Sequence, residues 1–146
     1  MKPEDVRRGP VLVDTDVFSY VHTQRGPWEA FVPFIEHRTV AASFITVAEL
    51  WLGARKRDWG DKKCKDLEVA LGVYLQLAPD TRVAMLYADL AKACMGQLGG
   101  NREEHDLWIA ATAIVFELPL VTNNLTDYQQ IHRAGFADLV LVHPDI

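Results

Sequence analysis

The stretch VLVDTDVF, residues 11–18, runs three aliphatic side chains into two aspartates one residue apart and then turns apolar again. A short, uninterrupted apolar run suits a strand covered on both faces. In open α/β sheets, ligands gather at the carboxyl ends of the strands, which is where such a strand would leave Asp14. Asp14 or Thr15 also suits the cap of a following helix, because a short oxygen-bearing side chain accepts amide hydrogens left unpaired in the first turn.

Working outward, TVAAS (39–43), LPLVT (from 118, with Pro119 near its start) and DLVLV (138–142) repeat the apolar run. Between the runs lie helical patterns: WEAFVPFIE, FITVAELWLGARKR, a segment around TRVAMLYADLAKACMGQL, and HDLWIAATAIVFEL. YLQLAP (74–79) suits either a helix end or a strand. Strands alternating with helices imply a central, mainly parallel sheet in a three-layer α/β/α sandwich. No repeat, low-complexity segment or linker divides the chain, so residues 1–146 are read as one domain.

Composition narrows the function classes. With 49% hydrophobic and 24% charged residues, the chain is of the soluble globular kind and not a disordered one. MKPEDVRRGP has no apolar centre, so it is not a secretory signal, and no run approaches the roughly 18 apolar residues of a membrane span. Cys64 and Cys94 stand alone, which suits a reducing cytoplasm. The net charge of −5 argues against binding nucleic acid by bulk phosphate neutralisation. Any such contact must use bound cations or a local patch. RKRDWGDKKCK (55–65) offers one, with six basic residues against two acids, hence +4, and it also reads as a solvated helix end and loop.

The acids carry most of the chemistry. Glu49 lies within FITVAELWLG with Ile45 and Leu52 on its helical face, where a carboxylate is costly unless paired or bound to a cation. Asp106 opens a helix apolar around its circumference; it suits a helix start, as do Glu103 and Glu104, but three acids in four residues exceed what capping needs. Asp127 follows the third strong strand and forms a D-x-x-Q capping pattern with Gln130. If these carboxylates converge they repel one another without a cation. Oxygen ligands suit hard ions such as Mg²⁺ or Mn²⁺, whereas His22, His37, His105, His132 and His143 show no zinc-like spacing.

DTDVF also fits the D-x-D signature of haloacid-dehalogenase-like phosphatases, with Thr122 in place of their second motif. That reading lacks the lysine that neutralises phosphoryl oxygens, since none occurs from residue 93 onward.

VLVDTDVF, ITVAELWLGAR, HDLWIAATAI and LPLVTNNLTDY, in this order and spacing, resemble the PIN-domain ribonucleases, and in particular the VapC-like toxins of prokaryotic toxin–antitoxin pairs. The resemblance runs from about residue 11 to the C-terminus. It implies that Asp14, Glu49, Asp106 and Asp127 are the family's four acids, with Thr15, Asp16, Glu104, Thr122 and Asn124 in support. It further implies a Mg²⁺- or Mn²⁺-dependent endoribonuclease, with Asp14 and Asp106 as the main ligands, Glu49 orienting or deprotonating water and Asp127 completing the shell. A cognate antitoxin and a homodimer are the implied protein partners, RNA the substrate, and the cytoplasm the location. A PIN-like module that binds RNA or protein without catalysis is the alternative. The chain departs from the pattern at Asn123, where many relatives have Arg, and in a long segment before the first strand. Trp59, inside the basic stretch, is the candidate for an RNA contact, and Trp51 and Trp108 read as core.

Overall fold

Val11, Leu12 and Val13 form strand β1 (Val11–Val13), and all three are fully buried. Successive strand residues point to opposite faces. Val11 and Val13 pack with Val17, Phe18, Phe31 and Leu67, whereas Leu12 packs on the other side with Leu90, Leu107 and Ile131. A strand apolar on both faces is thus the middle layer of three, as expected.

The computed structural model describes residues 1–94 and 103–146. Among these, β2 (Val40–Ser43), β3 (Leu75–Leu77), β4 (Leu120–Val121) and β5 (Leu141–Val142) complete a parallel sheet of order β3-β2-β1-β4-β5. Helices α1 (Thr15–Thr23), α2 (Trp28–Ile35), α3 (Phe44–Lys56) and α4 (Asp61–Gly72) connect β1 to β2 and β2 to β3. Helices α5 (Thr81–Cys94) and α6 (Glu103–Val115) lie between β3 and β4 in the chain, and α7 (Leu125–Arg133) links β4 to β5. Right-handed crossovers place the helices before β3 on one face and those after it on the other, which matches the two apolar clusters. The chain leaves β1 toward β2 and β3 and returns to β1's other side as β4. The strand order therefore reverses between β1 and β4, the point where open sheets form a crevice.

Several boundaries differ from expectation. Asp14 lies outside β1, because its side chain accepts from the Val17 amide and starts α1. LPLVT shortens to Leu120–Val121: Pro119 has no amide to give and serves only as an acceptor, from Leu12 N at 2.9 Å. YLQLAP resolves as an edge strand with Leu75 exposed. Helix α4 escapes a pattern reading because its first turn is charged, DKKC, and its buried contacts reduce to Leu67 and Leu71. The end of the expected segment TRVAMLYADLAKACMGQL, from Met95, lies outside the described residues. Among the described residues, no helix is long and apolar enough to cross a membrane.

The segment before β1 has a structural role. Residues Pro3–Asp5 form a 3₁₀ turn, and the Arg38 guanidinium donates to the carbonyls of Pro3, Val6, Arg7 and Gly9 at 2.8–3.4 Å. One planar, five-donor head thus fastens a segment that has few apolar anchors apart from Val6. Arg38→Met is expected to cost about 1–2 kcal/mol and to make residues 1–9 sensitive to limited proteolysis. Unchanged stability in urea and unchanged protection would contradict this role.

Candidate active site

Two elements beginning at the sheet's carboxyl edge position Asp14. Its amide bonds to the Val121 carbonyl at 3.1 Å, which anchors the backbone to β4. Its Oδ1 accepts from Val17 N at 2.9 Å, capping α1, and its Oδ2 accepts a short hydrogen bond from the Thr122 hydroxyl. Thr122 Oγ1 in turn accepts from Asn124 N at 2.8 Å, so one hydroxyl ties the ends of β1 and β4 together. Asp14 is both the cap and the buried acid that the sequence left as alternatives. Among the described residues no Lys or Arg ion-pairs with it. Burial raises its carboxyl from 3.8 to about 7; the charges of Asp16 and Asp106 push the same way, against the hydrogen bonds from Thr122 and Val17.

Asp106 lies one turn into α6 as described, so it is not the cap of that helix. It is buried, and its carboxylate accepts from Tyr128 OH at 3.2 Å and from Asn124 Nδ2 at 3.0 Å. The same Asn124 amide donates to Asp127 Oδ2 at 3.0 Å, so Asn124 bridges the two acids. Asp127 does not start a capping box with Gln130: α7 is preceded by Asn124, and Asp127 sits in its first turn. There its carboxylate accepts from the side-chain amide of Asn124, the residue that precedes the helix.

Glu49 occupies a different setting from the one its apolar neighbours suggest. Leu52 is largely exposed, and Glu49 instead faces Thr15, whose hydroxyl donates to Oε1 at 3.1 Å. Thr15 also shares a hydrogen bond of 3.0 Å with the buried Thr46. His105 Nδ1 lies 3.3 Å from Glu49 Oε1, near enough for an ion pair when the ring is protonated but without hydrogen-bond alignment. Distance and alignment disagree here, and the contact is best described as electrostatic.

Asp16 stands at the rim, half-buried, where its charge reaches Asp14. Glu104 does not join the group: it is exposed and accepts from Tyr87 OH at 3.1 Å, while Tyr87 stacks on Trp108. The side chain of Glu103 lies outside the described residues.

Three residues escaped the sequence reading. Thr46 and His105 hold Glu49 and its partner, and Tyr128 is fully buried with its hydroxyl on Asp106. Burial pushes the Tyr128 phenol well above its usual range, and the charges of Asp106, Asp14 and Glu49 push it further. Tyr128 is therefore a neutral donor that three carboxylates surround. An aromatic beside Asp127 in an amphipathic helix was its one signal, and that pattern reads equally as core.

The donors are oxygen atoms of hard, anionic groups, which suits Mg²⁺ or Mn²⁺ in place of a softer metal. Among the described residues, no three Asp, Glu, His or Cys side chains stand close enough to make a ready-built ion cage. Mg²⁺ does not need one, because it retains several waters and takes one or two carboxylates.

The chain matches the family model for the PIN domain over residues 11–132. It is 31% identical over 121 residues to the ribonuclease VapC2 of Haemophilus influenzae strain KW20/Rd, covering 82% of this chain and 90% of the relative. Among solved structures it is similar to VapBC-1 of nontypeable Haemophilus influenzae, with a TM-score of 0.73, 25% identity, and 94% and 99% of the two chains covered. VapBC2 of Rickettsia felis, solved on a fragment of promoter DNA, shares the fold at a TM-score of 0.71 and 24% identity, covering 91% of this chain and 97% of that one.

Asp14 sets a pH dependence whose sign is fixed by its environment. Its folded-state value of about 7 lies above the ordinary 3.8, so the fold favours the protonated form. The contribution is fully stabilising below about 4, is lost as pH rises toward 7, and is constant above that. Asp14→Asn keeps a side chain able to cap a helix and removes the buried charge. It is expected to raise the melting temperature of the metal-free chain at pH 8, by an amount of order a few kcal/mol in stability, and to have little effect near pH 4. A thermal melt of both proteins at the two pH values checks this; equal shifts at both would contradict it.

Proposed function

Because the chain belongs to the PIN-domain family, we propose that it is a divalent-metal-dependent endoribonuclease, the toxin of a toxin–antitoxin pair, acting as one cytoplasmic domain on RNA phosphodiester bonds. The observation that carries the reading is Asp14: a buried carboxylate at the β1–β4 crevice, hydrogen-bonded into place yet raised to about 7 by burial and by the neighbouring charges of Asp16 and Asp106. The match to PIN-domain proteins displaces the phosphatase alternative.

Asp14 and Asp106 would hold Mg²⁺ or Mn²⁺, each carboxylate already oriented by its own donors, Thr122 and Val17 for one, Tyr128 and Asn124 for the other. When bound, the cation supplies positive charge against the scissile phosphate and lowers the cost of deprotonating water. Glu49, aligned by the Thr15 hydroxyl, would accept the proton of the attacking water at its carboxylate. Asp127, joined to Asp106 through Asn124, would complete the negative surround. Thr122 and Tyr128 act as positioning residues, for they fix the direction of oxygen atoms without reaching the substrate. A cation at this place also explains how a chain of net charge −5 approaches a polyanion. A basic side chain from an antitoxin would meet the same carboxylates, and dimerisation remains part of the reading by resemblance to the family.

A silent RNA- or protein-binding module is the second reading, favoured by the lack of a ready-built ion cage among the described residues. Cleavage separates the two. Purified, antitoxin-free protein is expected to cut structured RNA with Mg²⁺ or Mn²⁺ and to stop in EDTA. Asp106→Asn, prepared identically, should lose on the order of 10²–10³ in rate or more with its melting transition intact. Asp127→Asn should lose less, roughly 10–100-fold. Equal cleavage by wild type and Asp106→Asn would reject the proposed site, and a folded, metal-bound protein inert on several RNAs would favour the silent module.

A further inference from the structure

A groove of about 870 Å³ opens from the carboxylate site between α1, α3 and α4. Its charges are segregated. Asp16 is at the start of α1 and Arg25 just beyond its end; Glu49 is in the middle of α3 and Arg57 at its end. Both helices leave the carboxyl edges of neighbouring parallel strands, so the acids lie toward the sheet edge and the cations farther out. Lys63 on α4 adds a third cation, and the remaining acid, Asp66, pairs with Lys62 at 3.4 Å.

Glu49, Gly53 and Arg57 follow one another at four-residue intervals along one face of α3. The Arg57 side chain folds back over the glycine: a Cβ on Gly53 would lie 2.7 Å from Arg57 Nη1. Gly53 therefore leaves the bed in which the guanidinium lies, about 6 Å along the helix from Glu49 at ~1.5 Å per residue. Aromatic surfaces accompany the cations. Trp59 is partly exposed with Lys63 Nζ 5.6 Å from its ring centre, and Tyr20 OH accepts from Asn123 Nδ2 at 3.3 Å, which ties the groove wall to the loop after β4.

From this arrangement we infer that the groove seats a single-stranded segment of the RNA leading out of the carboxylate site. Arg57 and Lys63, with Arg25, take its phosphates, and Trp59 and Tyr20 offer its bases a stacking surface. The inference rests on the ribonuclease reading and assigns that site's strand path. Cations beside partly exposed aromatic rings, continuous with the reacting end, are what an unpaired strand requires. An acidic peptide would use the cations and leave the rings and the acidic end unmatched.

The test uses a 5′-fluorescein, unstructured 12-nucleotide RNA and the whole chain carrying Asp106→Asn, with Mg²⁺ and fluorescence anisotropy read across a salt series. Adding Arg57→Gln and Lys63→Gln is expected to weaken binding roughly 10-fold and to flatten the slope of log affinity against log salt by about 1.4, as expected for two phosphate contacts on a single strand. In the otherwise wild-type chain, Gly53→Ala displaces the guanidinium while favouring the helix, so KM should rise several-fold with an unchanged kcat and no loss of melting temperature. No binding by the parent, or an unchanged affinity and slope in the double-glutamine variant, overturns the strand path. So does a loss confined to an acidic peptide tested in parallel, which would give the groove to a protein partner. Cleavage of the same RNA by wild type is scored separately: binding and slope as expected without cleavage would sink the nuclease reading and leave the strand path standing.

Discussion

A single hydroxyl joins the two halves of the sheet at the place where the strand order reverses. Thr122 donates to Asp14 and accepts from Asn124, so the end of β1, the end of β4 and the start of α7 share one hydrogen-bonded junction. Asn124 then reaches Asp106 and Asp127. Every acid on this side of the site is thus positioned by a polar group from the β4–α7 connection. Burying a carboxylate opposes folding, and the junction offsets that cost only in part, since burial still holds Asp14 far above its ordinary range. The fold orients a carboxylate whose ionised form burial disfavours, a state that suits a site built to receive a cation.

On the opposite wall, Thr15, Thr46 and Glu49 form a second, smaller network that meets α6 through His105. The two walls differ in kind. Asp14 and Asp106 are buried and tied by short-range donors, whereas Glu49 is partly open to solvent and borders the groove. Such a division suits two tasks, holding charge at one wall and exchanging protons with water at the other.

The three-layer fold was legible in VLV, because an aliphatic run with no polar alternate can only be covered on both sides. Asp14 and Asp106 stood out because the chain places them at the end of an apolar run and at the start of an apolar helix, whereas Glu49 and Asp127 joined them as a set through the resemblance of the surrounding motifs. Their partners did not stand out. Tyr128 and Thr46 read as ordinary core and helix residues, and their meaning comes from neighbours that the fold brings from other strands and helices. Local patterns misled in both directions: D-x-x-Q suggested a cap at Asp127 although Asn124 precedes the helix, and Leu52 suggested an apolar bed for Glu49 although Leu52 faces solvent. Pro119 and the charged first turn of α4 blurred boundaries for the same reason, since strand pairing and packing decide where those elements begin.

The Thr122–Asp14 bond spans 108 residues of sequence. Contacts of that range are entropically costly to close, because the intervening chain must be ordered before they are rewarded. During synthesis, Asp14 leaves the ribosome long before Thr122, Asn124 and Tyr128 exist, and the helices on the first face can pack around β1 without them. An unfinished or truncated chain lacks the junction that orients Asp14 and the donors that hold Asp106. Until translation has delivered the last third of the protein, neither the junction at Asp14 nor the donors to Asp106 exist.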